Sequence, residues 1–153
     1  MNKTAAVACV TLMVIATPLL AQVSPTIELT VEVLDEERDA IIANALDLTK
    51  EEEETFRTVY ESYRAKQLEL RKRYRALITE FTKNYGTLTD EQADKIMTEW
   101  LQLDRETLEL ETKYYEKFRS VLPAKKAARL FQVENKLRSI VDAQLAKEIP
   151  LIP

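Results

Sequence analysis

The chain has 153 residues, 46% hydrophobic and 31% charged, with a net charge of −4, one cysteine, one glycine and no histidine. Without histidine there is no nucleophile–histidine pair, and beyond Cys9 the usual zinc, copper, haem and iron–sulfur ligands are missing. One glycine cannot make a glycine-rich phosphate loop, and the acidic balance argues against general nucleic-acid binding.

Residues 1–21 have signal-peptide grammar. Lys3 gives a positive start, Ala5 to Ile15 are almost wholly apolar, Pro18 interrupts the run, and the small Ala21 precedes Gln22. The apolar run is shorter than the roughly 20 residues of a spanning helix. The expectation is export, cleavage after Ala21 and no stable membrane insertion after signal removal. Cys9 lies too early for a lipoprotein cysteine. The mature remainder then has no cysteine and no disulfide framework, although an exported location would permit one.

The rest divides into an arm at 22–34, a single helical domain at 35–149 and a tail at 150–153. In the arm, Ile27, Leu29, Val31 and Val33 alternate with Glu28, Thr30 and Glu32, which is a strand's period. An extended or disordered arm is expected, and the sharper alternative is a strand added to another chain's sheet edge.

Asp35 to Leu46 read as a short helix with Ile41, Ile42, Ala45 and Leu46 on its apolar side. Leu48-Thr49-Lys50-Glu51-Glu52 opens the next helix. Thr49 is the N-cap, and Glu52, at the third helical position, can reach back to the cap's N–H. That helix runs from about Lys50 to Asn84, with Phe56, Val59, Tyr60, Tyr63, Leu70, Tyr74, Leu77 and Phe81 at three- and four-residue steps. Gly86 is expected to supply a left-handed stop. Leu88-Thr89-Asp90-Glu91-Gln92 repeats the opening forty residues on, with Thr89 as cap and Gln92 as its partner. The third helix runs from about Asp90 to Val121 and carries Ile96, Trp100, Leu103, Leu110, Tyr114 and Phe118. Pro123 ends it and can open a fourth, Ala124 to about Glu148, with Leu130, Val133, Leu137, Ile140, Val141 and Leu145.

The fold class is therefore all-α: four helices with a long antiparallel helical hairpin, whose two arms are each near 48 Å by the helical rise. A forty-residue shift sets Phe56 on Ile96, Tyr60 on Trp100, Tyr63 on Leu103, Leu68 on Leu108, Leu70 on Leu110, Tyr74 on Tyr114 and Ile78 on Phe118. The shared caps fix that register and indicate a structural repeat. Long thin helices bury little core, so oligomerisation is expected to complete the burial, and the resemblance described below implies an elongated, curved homodimer.

Arg57, Arg64 and Arg71 are seven apart and Arg75 follows four later; Lys66, Lys72 and Arg73 widen the basic region, which Tyr60 and Tyr74 border. One reading is a solvated face balanced by Glu53, Glu61 and Glu69. The other is a basic and aromatic surface that steers and holds unfolded, often acidic chains, with arginine stems covering apolar surface. On that reading Arg57, Tyr60, Arg64, Lys66, Arg71 and Arg75 contact the client. No catalytic residue, metal ligand or cofactor site is identified.

An exported four-helix chain with paired Leu-Thr-x-x-Gln segments resembles the Spy/CpxP family of periplasmic chaperones and stress-response proteins. Leu88, Thr89 and Gln92 match the motif in full; Leu48 and Thr49 match the first copy, where Glu52 replaces glutamine. The resemblance covers roughly residues 36–148. It implies a bent hairpin dimerised antiparallel into a cradle, whose basic concave face holds unfolded envelope proteins in the periplasm without ATP. Zinc-responsive relatives use histidine and cysteine, which argues against zinc sensing here. Two alternatives stay open: a non-enzymatic structural or regulatory protein docking on one envelope partner, and a Skp-like chaperone. The latter's trimeric body needs a sheet, for which only residues 26–33 offer a strand. An enzyme has the least support, because aspartate and glutamate spacing follows helix surfaces.

Overall fold

In the computed structural model the backbone is described for residues 25–152 and the side chains for 36–152. The leader at 1–21, its cleavage point and residues 22–24 lie outside the described residues. The fold is all-α. Four helices follow in order: α1 (Pro25–Leu46), α2 (Lys50–Asn84), α3 (Asp90–Val121) and α4 (Ala124–Glu148), with a 3₁₀ turn at Tyr85–Thr87 between α2 and α3.

The first helix is longer than the Asp35–Leu46 segment expected. The backbone of residues 25–34 is helical, which corrects the extended arm over that stretch. Pro25 occupies the first helical position, where its missing N–H is no loss. Ile27, Val31 and Leu34 also recur at steps of four and three, a helical period hidden within the alternation. The strand that a sheet-based trimeric body would require is thus helix over residues 26–33.

The two Leu-Thr segments start α2 and α3 as their chemistry demands. The Thr49 N–H donates to Glu52 Oε2 at 2.9 Å and the Glu52 N–H to Thr49 Oγ1 at 3.3 Å. In the second copy the Thr89 N–H donates to Gln92 Oε1 at 3.0 Å and the Gln92 N–H to Thr89 Oγ1 at 3.3 Å. Each box satisfies two donors that a helix start leaves open. Glu51 to Glu53 and Asp90–Glu91 add negative charge at the positive ends of the helix dipoles.

The chain does not use Gly86 as a left-handed stop, which corrects that expectation. No glycine has positive φ; the one described residue that does is Asp47, at φ 48°, which closes α1 with its N–H on Ala43 O at 3.3 Å. Aspartate tolerates this conformation better than most side chains. Between α2 and α3 the chain instead tightens into the 3₁₀ turn, where no left-handed residue is needed.

Cross-helix contacts show the hairpin to be antiparallel: Ser62 meets Tyr114, Arg73 meets Glu106, and Glu80 meets Lys95. The forty-residue register survives folding. Phe56 and Ile96 are both buried, as are Tyr63 and Leu103; Leu70 and Leu110 are both half-buried; Leu68 and Leu108 are both exposed. The other pair of helices, α1 and α4, also runs antiparallel, with Arg38 at Glu134 and Ala45 at Arg129.

Two cores result. One joins all four helices around Ile42, Leu46, Phe56, Tyr60, Tyr63, Tyr114, Phe118, Leu122, Ala127 and Leu130. Its rings interlock, with Phe56 stacked on Tyr60 at 5.0 Å between centroids and Tyr63 edge-on to Phe118 at 5.8 Å. The other lies toward the turn, where Leu77, Phe81, Ile96 and Leu103 take in Trp100, Leu88 and Ile149. The leucine before each cap packs into a core, Leu48 into the first and Leu88 into the second. On α4 the buried face is Ala127, Leu130, Glu134 and Leu137. Ile140, expected on that face, is 46% exposed because the stripe turns toward Glu134.

A Cβ added at Gly86 meets nothing within 4 Å, and its φ is not positive. Gly86→Ala should therefore stabilise the chain by about 0.4–1 kcal/mol through the unfolded state, read as a raised urea midpoint at unchanged slope.

Glu52 gives a pH-dependent test. Hydrogen bonds from Lys126 and from the Thr49 N–H hold its carboxyl below the ordinary 4.5. A depressed carboxyl contributes stability above 4.5 that is lost as pH falls through the folded value. Glu52→Gln keeps an oxygen for Thr49 but loses the charge facing Lys126. It should unfold at lower urea than the parent at pH 7, with the gap closing as pH falls below 4.5 and through the lowered folded value.

Candidate interaction surface

Three helices, α1, α2 and α4, meet at one buried polar group. Arg38 of α1 is 0% exposed and Glu134 of α4 is 5% exposed, and Arg38 Nη1 lies 2.5 Å from Glu134 Oε2. From α2, the Tyr60 hydroxyl donates to Glu134 Oε1 at 3.4 Å and Gln67 Nε2 to Oε2 at 3.4 Å. Gln67 Nε2 also donates to the Tyr63 hydroxyl at 2.9 Å, and Arg64 Nη1 donates to Gln67 Oε1 at 3.0 Å. Burial, followed by the negative field of Glu134, pushes the Tyr60 and Tyr63 hydroxyls above their ordinary value, so both keep their protons.

The sequence did not single out Arg38 or Glu134. A signal was present: Glu134 falls four after Leu130 and three before Leu137, on the line of apolar residues. Arg38 falls four after Leu34 and four before Ile42. A charge on an apolar stripe is buried only with a partner, and the two stripes together contain one acid and one base.

The structure divides the predicted basic stripe. Arg57 is exposed and pairs with Glu53 at 2.8 Å on the same helix, a surface pair of small energetic worth. Tyr60, expected to meet clients, is 7% exposed and sits in the core beneath α1, which corrects its assignment to the surface. Arg64 and Arg71 are half-buried. Arg64 joins the Glu134 network, and Arg71 lies within electrostatic reach of Asp142 on α4. Asp142 is raised by burial, with Arg138 and then Arg71 opposing. Arg75 is exposed. Lys66 lies on another side of α2, in a shallow groove of about 370 Å³ with Arg73, Glu106, Glu109 and Lys113 around Leu70 and Leu110. Arg73 pairs with Glu106 there, Lys72 pairs with Glu69, and the Tyr74 hydroxyl donates to Asp104. Acids thus interleave with the bases.

A second feature lies on α3. Met97, Leu101 and Leu108 are 45%, 57% and 64% exposed. Steps of four and seven align them on one side, away from the buried line of Ile96, Leu103 and Tyr114. Asp94, Asp104 and Arg105, all exposed, fall within a turn of them. The spacing of Leu101 and Leu108 was available in the sequence, but only packing shows that, among the described residues, no helix covers them.

Among the described residues, no group of three or more aspartate, glutamate, histidine or cysteine side chains is placed to hold a metal ion. No described helix is long and apolar enough to cross a membrane. No family model matches the chain, and comparisons with curated proteins and with solved structures returned no match.

The network predicts a distinctive pattern of stability. Glu134→Ala should cost about 3–5 kcal/mol, because it removes the buried carboxylate that faces Arg38 and accepts from Tyr60 and Gln67. The double replacement Arg38→Met with Glu134→Leu should recover most of that loss. Urea unfolding of Arg38→Met, Glu134→Leu and the two combined tests the pair as a cycle.

Proposed function

We propose that this chain is an exported, periplasmic holdase or envelope-stress modulator, working as a homodimer without ATP on unfolded or misfolded envelope proteins. The single observation that carries the reading is the line Met97, Leu101 and Leu108 on α3, which the fold leaves in water. Large apolar side chains aligned on an otherwise packed helix mark a contact surface. Leu68, 40% exposed on α2 between Arg64 and Arg71, gives a second such point amid positive charge. Exposed Arg57, Lys66 and Arg75 supply long stems and charges for loose, steered contact with acidic chains.

The capping motif at Leu88, Thr89 and Gln92, with its partial copy at Leu48, Thr49 and Glu52, supports kinship with the Spy/CpxP family. Its chemistry also starts two helices in any all-α chain, so it speaks for the hairpin more than for the activity. The other reading, docking on a single envelope partner, uses the same α3 line and is separated from holding many clients by experiment.

A denatured client diluted into buffer without ATP should aggregate less at stoichiometric excess of this chain. Leu101→Ser with Leu108→Ser should weaken that protection by about tenfold in effective concentration while leaving helicity unchanged. Equal aggregation with and without the protein would overturn the holdase reading. Capture of one partner at fixed stoichiometry would favour the docking reading.

A further inference from the structure

The uncovered side of α3 carries an order that its apolar members alone do not show. Asp104 and Arg105 lie between Leu101 and Leu108, and all four side chains are exposed. Three residues separate Leu101 from Asp104, and three separate Arg105 from Leu108. Fourteen residues outward the charges recur, with Asp90 before Asp104 and Arg119 after Arg105, both exposed. Fourteen residues are about four helical turns, so Asp90 and Arg119 keep to the same side. Read backward, the order is the same with the sign of each charge reversed. Among the described residues, neither Arg105 nor Arg119 has an acid partner, whereas the exposed Arg57 and Arg73 each have one. Asp104 accepts the Tyr74 hydroxyl, and its carboxylate keeps further lone pairs for a cation.

Such an order fits its own copy. Two α3 helices running antiparallel about a two-fold axis between residues 104 and 105 set Asp104 against Arg105 of the second copy. Leu101 then meets the second copy's Leu108, and Asp90 meets its Arg119. Every contact recurs with the roles exchanged, as an isologous interface requires. Parallel pairing in register sets Asp104 on Asp104 and Arg105 on Arg105, so like charges oppose it. The helices of the same chain leave this side free, because α2 and α4 pack on α3 elsewhere and its buried line is Ile96, Leu103, Tyr114 and Phe118.

We propose that the α3 line is where two copies of this chain meet, as an antiparallel pair centred between Asp104 and Arg105. The inference rests on the reading of this chain as a dimeric holdase, and it adds the regulation of its contact line. The second copy and the client compete for Met97, Leu101 and Leu108. The pair is the standing form, which takes these side chains out of water, and a client enters by displacing one copy. One helix laid on one helix is a small seam beside those of permanent dimers, so it opens readily. Its charge pairs lie near solvent, so the pairing weakens as salt rises.

Sedimentation equilibrium of the full chain should show a dimer that dissociates on dilution. Arg105→Asp sets acid against acid at the centre, and Asp104→Arg sets base against base. Each variant alone should self-associate about tenfold more weakly than the parent, at unchanged helicity. Mixed one to one, the two variants again face acid with base and should pair as the parent does. Arg119→Asp and Asp90→Arg repeat the test at the ends of the seam without touching the Asp104–Tyr74 hydrogen bond. Aggregation protection by Arg105→Asp should set in at about tenfold lower chain concentration than by the parent, because its leucines are free. A parent that stays monomeric, single variants that pair as tightly as the parent, or mixtures that do not pair overturn the seam. Protection that does not improve when the pair is lost overturns the competition. If no chain protects the client, the holdase reading falls, and the seam is decided by sedimentation alone.

Discussion

The carboxylate of Glu134 is the constraint around which the helices are set. It lies in α4, takes its cation from α1 and accepts hydrogen bonds from two residues of α2. Apolar side chains tolerate small slides, since one leucine contact resembles the next. A buried carboxylate does not, because its partners must meet it at hydrogen-bonding distance. The network therefore selects one register of α1 and α4 on the hairpin. Its net worth in stability is small, because both charges left water to form it. Its worth in specificity lies in the alternatives it penalises, those that bury Glu134 away from Arg38, Tyr60 and Gln67.

The hairpin's two cores follow from the same division of labour. Toward the shared end, aromatic rings from α2, α3 and α4 fill the space that α1 closes. Toward the turn, two helices meet with less cover, and the seam is mended by Trp100 edge-on to Tyr74 at 5.2 Å and by Ile149 from beyond α4. Between them the helices touch through polar pairs: Arg73 with Glu106, Tyr74 with Asp104, and Arg138 with Glu111. The middle of a long hairpin thus stays hydrated at its edges and apolar only along its axis. A chain built this way presents long charged faces and few enclosed spaces, which suits contact along a surface.

The fold was largely legible. Apolar residues at three- and four-residue steps, two capping boxes and the Pro123 break placed α2, α3 and α4 where they occur, since each signal acts within one or two turns of helix. The start of α1 was not legible in the same way. Ile27 to Val33 satisfy a period of two and a period near 3.6 together, and neighbouring residues alone do not choose between them. The turn chemistry also misled: Gly86 can adopt a left-handed conformation, but the chain had no need of it there, and Asp47 took that role instead.

The site was legible only in part, for a different reason. Spacing places Arg57, Arg64, Arg71 and Arg75 on one flank of α2, and that much holds for any helix. Spacing does not say which neighbour lies over the flank, so Tyr60 passed for a surface ring and Leu108 for an ordinary heptad residue. By itself the sequence determined the class, the number of helices, the ends of three of them and the forty-residue register, all set by local hydrogen bonding and side-chain period. Tertiary structure alone decided that Arg38 and Glu134 neutralise each other inside, that Tyr60 is roofed and that Met97, Leu101 and Leu108 face water. Those outcomes depend on which faces meet across nearly a hundred residues of chain, and solvent exclusion, which fixes them, acts through space and not along the sequence.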